Sequence, residues 1–202
     1  MFKKNKVDYA KGWGKFTGPN SIAVDNNDGT TSEFSVKNTI IATGSEPSSL
    51  PAGMLDIDEK YVVTSTGALA LEKIPKTMVV VGGGVIGLEM GSVYSRLGTE
   101  VTVVQHTDRI CPFLDIEVSK AFQKILKKQG MKFMMNTRLE SGVNNKEAGV
   151  KVVLGTAKGQ ETLEADVVLL SIGRKPFTAG LDLEKAGLEA NKFGKIEISN
   201  TW

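Results

Sequence analysis

The chain has 202 residues, a length that suits one domain or slightly more. Hydrophobic residues make up 41% and charged residues 24%, which is ordinary for a globular protein, and the net charge of +2 gives no reason to expect nucleic acid or an anionic membrane as a partner. The single cysteine cannot form an internal disulfide, a CxxC redox pair or a four-cysteine metal site. A disulfide-stapled secreted fold is therefore excluded, and a reducing compartment is expected.

The sequence predicts neither a transmembrane segment nor a signal peptide. No apolar stretch approaches the ~20 residues that a membrane-spanning helix needs. The lysines near the N-terminus are not followed by the apolar run of a secretory signal.

The first 65 residues are typical of short strands and turns. The segment Asn26–Gly29 predicts a hairpin between Ile22–Val24 and Ser32–Val36. Asn38–Thr43 is an apolar run that ends at a glycine, and we predict that it forms a strand of a β-sheet.

Residues 66–176 alternate between strand and helix patterns. Met78–Val81, Val101–Val104, Lys132–Met135 and Val167–Ser171 are predicted strands, and Val150–Leu154 and Glu161–Ala165 a predicted hairpin. One helix is predicted from Val85 to Leu97 and a second, capped by Asp115, to Gln129. Residues 177–202 hold a short helical stretch (Asp182–Gly187) and a predicted strand (Lys195–Ser199).

A glycine motif follows the first of these buried strands. Gly82, Gly84 and Gly87 match GxGxxG, directly after Met78–Val81 and at the start of a helix, and a second strand closes a βαβ unit. In such a turn the first glycine permits the tight bend, the second lets a pyrophosphate approach the backbone, and the third lets the helix pack on the strand. The motif therefore predicts a Rossmann-like dinucleotide-binding domain, in which the helix N-terminus faces the phosphates.

Two polar residues near the motif are candidates for nucleotide contacts. Dinucleotide-binding domains carry an acid at the end of the second strand to accept the ribose hydroxyls, and here that position is Gln105. Its carbonyl can accept one such bond, so we predict NAD; NADP stays open because the acid is missing and Arg109 follows four residues later. Glu89 either complements the helix dipole or faces the nicotinamide.

The only histidine and the only cysteine lie in the loop after the second strand. His106 has no partners in view for a metal site, and Cys111 has no second thiol, so we interpret them as a surface histidine and a thiol without a catalytic role.

Several motifs together resemble the dihydrolipoamide dehydrogenases, a family of flavin-dependent pyridine nucleotide-disulfide oxidoreductases. The resemblance is carried by Gly12–Gly18, Ala42–Pro47, Ser65–Leu69, Val81–Gly91, Leu97–Val104 and Gly173–Pro176. It implies an α/β fold: a Rossmann-like NAD-binding domain (βαβαβ plus β-meander) at 66–176, flanked by partial FAD-binding segments at 1–65 and 177–202 that pack on each other. Measured against the family, the chain is expected to be an internal fragment without the redox cysteine pair and the His-Glu pair, so that no catalytic residue is assigned.

The resemblance also implies the residues that contact each cofactor. The NAD set is Gly82, Gly83, Gly84, Val85, Ile86, Gly87, Leu88, Glu89, Gln105, Leu139 and Gly173. The FAD set is Gly14, Thr43, Gly44 and Ser45, for which we expect little flavin affinity in this chain alone. No metal site is expected.

The implied function is that of the parent enzyme, which oxidises dihydrolipoamide through a dithiol and FAD and transfers hydride to NAD. The implied partners are a lipoamide-bearing 2-oxo acid dehydrogenase complex and a second subunit of a homodimer, with no nucleic acid or membrane, in the mitochondrial matrix of a eukaryote or otherwise the cytoplasm. We expect the chain alone to be inactive. Two alternatives stay open: a non-catalytic nucleotide- or partner-binding module, and another pyridine nucleotide-disulfide oxidoreductase resembling glutathione or mercuric reductase.

Overall fold

The structure is a computed structural model that describes residues 1–199 and divides into two compact units. The first unit comprises Met1–Glu46 and the segment that begins at Lys175, and the second comprises Pro47–Arg174. The sequence placed the boundaries after residues 65 and 176. The first boundary differs because residues 47–65 contain a strand that joins the sheet of the second unit. Residues 200–202, the end of the predicted segment 177–202, lie outside the described residues.

Thirteen strands and three α-helices are described in residues 1–199. The strands are β1 (Gly12–Gly18), β2 (Ser21–Asn26), β3 (Thr31–Ser35), β4 (Ser45–Pro47), β5 (Val62–Val63), β6 (Thr77–Val81), β7 (Glu100–Val104), β8 (Lys132–Met134), β9 (Arg138–Asn144), β10 (Val150–Thr156), β11 (Gly159–Ala165), β12 (Val167–Leu170) and β13 (Arg174–Pro176). The helices are α1 (Ser65–Ala68), α2 (Val85–Arg96) and α3 (Ile116–Lys128). None of the helices within residues 1–199 is both long enough and apolar enough to cross a bilayer.

The second unit is built on a parallel five-stranded sheet in the order β5-β12-β6-β7-β8. Alternate residues of its strands enter two different cores. Met78 and Val80 pack with Leu88 and Leu126 of the helices, whereas Val79 and Val81 pack with the antiparallel sheet β11-β10-β9. The predicted α/β fold with a β-meander is thus present, as helices, a parallel sheet and a meander in three layers.

The order of the parallel strands creates a topological switch point beside β6. From β6 the chain runs through α2 to β7 and through α3 to β8 on one side, and it returns through the meander to β12 on the other side. In open α/β sheets, ligands bind in the crevice outside the carboxyl ends of the strands at such a point. This places the turn after β6 where a ligand is expected.

Helix α3 begins where the sequence predicts. The Asp115 carboxylate accepts hydrogen bonds from the backbone N–H groups of Glu117 (2.8 Å) and Val118 (3.3 Å), which satisfies two of the donors left free at a helix start.

The first unit contains the predicted hairpin. Strands β1, β2 and β3 form an antiparallel sheet, and the turn between β2 and β3 includes Gly29 with φ of +85°. The core around Phe16 of β1 contains Leu181 and Leu183, so the two predicted flanks do pack on each other.

Two predicted strands of this unit are wrong. Asn38–Thr43 is not a strand: no described strand pairs with it, and although Ile41 packs against the Phe16 core, Ile40 is 90% exposed. Within Lys195–Ser199 only Ile196 forms a bridge, to Ala190. Both segments have local strand character, but a strand also needs a partner in register.

Candidate nucleotide-binding site

The glycine motif forms the turn from β6 into α2, and two of its glycines are required by close backbone contacts. Gly82 has φ of +110°, and a Cβ there would lie 2.4 Å from the carbonyl oxygen of Ser171. A Cβ at Gly87 would lie 2.3 Å from the carbonyl oxygen of Gly82, so α2 packs on the sheet more closely than any side chain permits. These two positions therefore set the turn and the helix–sheet distance.

Gly84 differs from the other two glycines because the space in front of it is open. A Cβ there would have no atom within 4 Å, and its φ of −85° is an ordinary value. Gly84 is also the N-cap of α2 and provides no side-chain cap. The first N–H groups of a helix lack intrahelical acceptors and carry the positive end of the dipole, so this open end can receive an anionic group.

A cleft of ≈ 350 Å³ lies at the carboxyl ends of β6, β7 and β12. It is lined by Leu50, Val81, Gly82, Gly84, Val104, Gln105, His106, Pro112, Phe113, Thr137, Arg138, Leu139, Ser171, Ile172 and Gly173. A second cavity of ≈ 260 Å³ shares Gly84, Phe113, Ser171 and Gly173 with it and adds Val85 and Ile86. Seven members of the predicted NAD set thus line one continuous groove.

The other four members of the NAD set lie elsewhere. Gly83 and Gly87 are buried inside the turn, and Leu88 is 1% exposed and packs in the core. Glu89 is on the exposed face of α2 and is not among the residues that line either cavity. The roles of all eleven residues toward a nucleotide stay predictions.

Gln105 is held by hydrogen bonds at both ends of its amide. Its Oε1 accepts from the backbone N–H of Gly83 (2.8 Å), and its Nε2 donates to Thr107 Oγ1 (2.6 Å). The residue is 4% exposed but still lines the cleft. The carbonyl that we assigned to a ribose hydroxyl therefore already has one protein donor, which leaves it a single further lone pair.

The loop after β7 closes over the glycine turn. The backbone N–H of Cys111 donates to the carbonyl oxygen of Gly83 at 2.8 Å. Cys111 is buried, and this burial raises the pKa of its thiol. The guanidinium of Arg109 donates through Nη2 to the carbonyl oxygen of Pro112 (2.9 Å) and does not line the cleft. His106 is exposed and does line it.

Sequence reasoning missed several residues of this groove, among them Phe113, Arg138 and Ser171. Ser171 Oγ lies 3.1 Å from the carbonyl oxygen of Val81 and 3.0 Å from that of Gly82, and so donates to the turn from the end of β12. Phe113 is 68% exposed and lines both cavities. An aromatic in the loop after the second strand was a signal in the sequence, whereas Arg138 becomes visible only once β9 is placed.

The predicted FAD residues belong to the first unit and only partly come together. Gly14 and Thr43 line one cleft of ≈ 550 Å³, and Gly44 and Ser45 are not among its lining residues. Two hydrogen bonds to Phe177 hold the loop that contains Thr43 and Gly44. Thr43 Oγ1 donates to the carbonyl oxygen of Phe177 (2.5 Å), and the Phe177 N–H donates to the carbonyl oxygen of Gly44 (3.0 Å). In residues 1–199, no group of three or more His, Cys, Asp or Glu side chains is arranged to hold a metal ion.

A protein-family model described as pyridine nucleotide-disulphide oxidoreductase matches residues 1–201. Among curated relatives, the chain is 53% identical over 201 residues to dihydrolipoyl dehydrogenase 2, mitochondrial, of Arabidopsis thaliana and 51% identical over 203 residues to dihydrolipoyl dehydrogenase, mitochondrial, of Dictyostelium discoideum. It is also 54% identical over 201 residues to a leghemoglobin reductase of Vigna unguiculata. These alignments include 98–99% of this chain but only 38–41% of the relatives, so the chain spans about two fifths of their length.

Solved structures show the same fold. The HOCl-induced flavoprotein disulfide reductase RclA of Escherichia coli superposes with a TM-score of 0.79 at 27% sequence identity. The superposition includes 96% of this chain and 42% of that chain.

Proposed function

The chain belongs to the pyridine nucleotide-disulphide oxidoreductase family, and from this premise we propose that its second unit binds the NAD(H) of a dihydrolipoyl dehydrogenase. Family membership implies the use of FAD and a pyridine nucleotide. The lipoamide activity is proposed because curated relatives of that name are about half identical to this chain over nearly its whole length.

The observation that carries the proposal is the open backbone at Gly84. Gly82 and Gly87 are required by contacts within the protein, but nothing within 4 Å would meet a side chain at Gly84. The protein leaves this space beside the free N–H groups of α2, which suits a pyrophosphate. The residues present therefore fit a dinucleotide.

The proposed nucleotide contacts follow from the residues that line the groove. The backbone N–H groups of Gly84, Val85 and Ile86 would hold the pyrophosphate, and Gln105 and Leu139 would lie toward the adenosine. The bound nucleotide supplies hydride acceptor chemistry. This chain's own residues bind and orient it.

No redox role is proposed for residues of this chain. A thiolate is the reactive form of cysteine, and the one cysteine, Cys111, is buried with a raised pKa. In the proposed parent enzyme, Gly14, Thr43, Gly44 and Ser45 contribute to an FAD site. We further propose a lipoamide-bearing 2-oxo acid dehydrogenase complex as partner, homodimerisation, and a mitochondrial matrix location in a eukaryote; curated relatives carry mitochondrial names.

An NADH fluorescence titration of the 202-residue chain tests the nucleotide proposal. Gly84→Val fills the open space without a strained φ, and we expect the dissociation constant to rise at least about tenfold, or about 1.4 kcal/mol. Ala10→Val is the control, because Ala10 is exposed, lies in the other unit and has no assigned role toward a cofactor. Unchanged NADH affinity in Gly84→Val, with the fold intact by circular dichroism, would contradict the proposal.

A further inference from the structure

The groove contains a donor-rich polar cluster at the carboxyl end of β7. It consists of Gln105 and His106, which follow β7, and Arg138, which begins β9. All three residues line the cleft of ≈ 350 Å³. No Asp or Glu is among the residues that line this cleft.

The orientation of the Gln105 amide is set by the protein. The backbone N–H of Gly83 is only a donor, so the atom facing it at 2.8 Å is the carbonyl oxygen, and the NH₂ group is directed to Thr107. That NH₂ group has two hydrogens, and Thr107 Oγ1 receives one of them. Gln105 therefore brings a remaining N–H donor and no negative charge to a position where NAD-selective domains carry an acid.

Arg138 supplies a fixed positive charge to the same cluster. It is exposed, and the ion pairs within residues 1–199 do not include it. An arginine forms strong charge-assisted hydrogen bonds with phosphate oxygens. By contrast, Arg109, the candidate from the sequence, donates to Pro112 and lies outside the cleft.

We propose that this cluster, Gln105 with His106 and Arg138, receives a ribose 2′-phosphate, so that the groove accepts NADP(H) at least as well as NAD(H). The proposal rests on the proposed nucleotide function of the groove. It follows from charge: the carboxylate that accepts two ribose hydroxyls and repels a phosphate is replaced by an amide, and a cation lines the same cleft.

Parallel fluorescence titrations of the 202-residue chain with NADH and NADPH test the proposal. We expect the dissociation constant for NADPH to be equal to or below that for NADH, and to depend more steeply on salt because a phosphate–arginine contact is screened. In Gln105→Glu, NADPH should bind about tenfold or more weakly while NADH binds as well or better. Glutamate keeps an acceptor for the Gly83 N–H, and its second oxygen can accept from Thr107 Oγ1 once that hydroxyl turns away from the Arg109 carbonyl oxygen. Circular dichroism checks that the fold of this variant is retained.

Arg138→Gln provides the second variant, and Arg96→Gln the matched control. Arg96 also carries one positive charge, but it ends α2 and does not line the cleft. We expect Arg138→Gln to weaken NADPH about tenfold and NADH by less than about threefold, and Arg96→Gln to change neither by more than about twofold.

The outcomes separate this inference from the proposed function. NADH binding together with NADPH binding about a hundredfold weaker would overturn the 2′-phosphate site and leave the nucleotide function standing. A chain that binds neither nucleotide would overturn both. Equal losses of NADH and NADPH in Arg138→Gln would overturn the assignment of Arg138 to the phosphate.

Discussion

The backbone N–H of Gly83 donates a 2.8 Å hydrogen bond to Oε1 of Gln105, and so joins the glycine turn to the end of the neighbouring strand. The carbonyl oxygen of Gly83 in turn accepts from the N–H of Cys111. Both backbone polar groups of the buried residue Gly83 are thereby satisfied by residues that follow β7. The residue that replaces the ribose-binding acid consequently also supports the turn.

Gln105→Leu should destabilise the fold. Leucine leaves the buried Gly83 N–H without an acceptor, and an unsatisfied buried donor costs about 1–3 kcal/mol in the free energy of unfolding. Urea denaturation measures this cost. The control is Gln160→Leu, which removes an exposed hydrogen bond from the side-chain amide to Glu140 and should cost less than about 0.5 kcal/mol. Similar losses of stability in both variants would contradict the claim that the buried hydrogen bond of Gly83 stabilises the fold.

Two glycines of α2 should respond differently to substitution by alanine. At Gly87 the new Cβ would meet the carbonyl oxygen of Gly82 at 2.3 Å, and we expect a loss of about 1–3 kcal/mol from overpacking. At Gly91 the nearest atom, at 2.9 Å, is the flexible Met131 Cε, and the gain of about 1 kcal/mol in helix propensity offsets the contact. Thermal unfolding of both variants checks this, and equal melting temperatures would refute it.

Asp58 should contribute to stability at neutral pH and lose that contribution in acid. Burial disfavours the ionised form of Asp58, but four hydrogen bonds outweigh this effect and hold its pKa below the ordinary 3.8. The donors are the backbone N–H groups of Val62, Lys60 and Tyr61 and the side-chain amide of Asn144. Because the pKa of Asp58 is lower in the folded chain than in the unfolded chain, its ionised carboxylate stabilises the fold at pH values above the unfolded-state pKa. This stabilisation disappears as the pH falls through the folded-state pKa.

The measurement is the free energy of unfolding of wild type and Asp58→Asn at pH 7 and near pH 3, below the ordinary aspartate pKa. We expect the wild type to be more stable than Asp58→Asn at pH 7, and the difference in their free energies of unfolding to shrink at the lower pH. Asp8→Asn, at an exposed position, serves as control. A difference between wild type and Asp58→Asn that stays constant with pH would contradict the assignment.

The Cys111 thiol should react slowly in the folded chain. It is 1% exposed, and burial raises its pKa, so iodoacetamide should modify it at least about a hundredfold more slowly than in urea. Because the Cys111 N–H binds Gly83, NADH should slow the reaction further. Cys111→Ser provides the reagent blank, and a native rate equal to the rate in urea would contradict the burial.

Local patterns determined much of the second unit from the sequence. The glycine spacing after a buried strand predicted the turn into α2, because the positive φ of Gly82 and the contact of Gly87 with the Gly82 carbonyl oxygen arise within the turn itself. Asp115 predicted the start of α3, because a cap acts on backbone N–H groups only two and three residues further on. Residues 150–165 predicted a hairpin because its strands adjoin in sequence.

Only the tertiary structure decided which segments find partners far along the chain. Val62–Val63 joins the parallel sheet beside β12 more than a hundred residues later, whereas Asn38–Thr43, which contains two isoleucines, has no strand beside it. Sequence likewise placed Gln105 at the end of β7 but could not show that its carbonyl faces Gly83 while Arg138 lines the same cleft. Local propensity acts over a few residues, but pairing and side-chain direction depend on neighbours that the fold alone brings together.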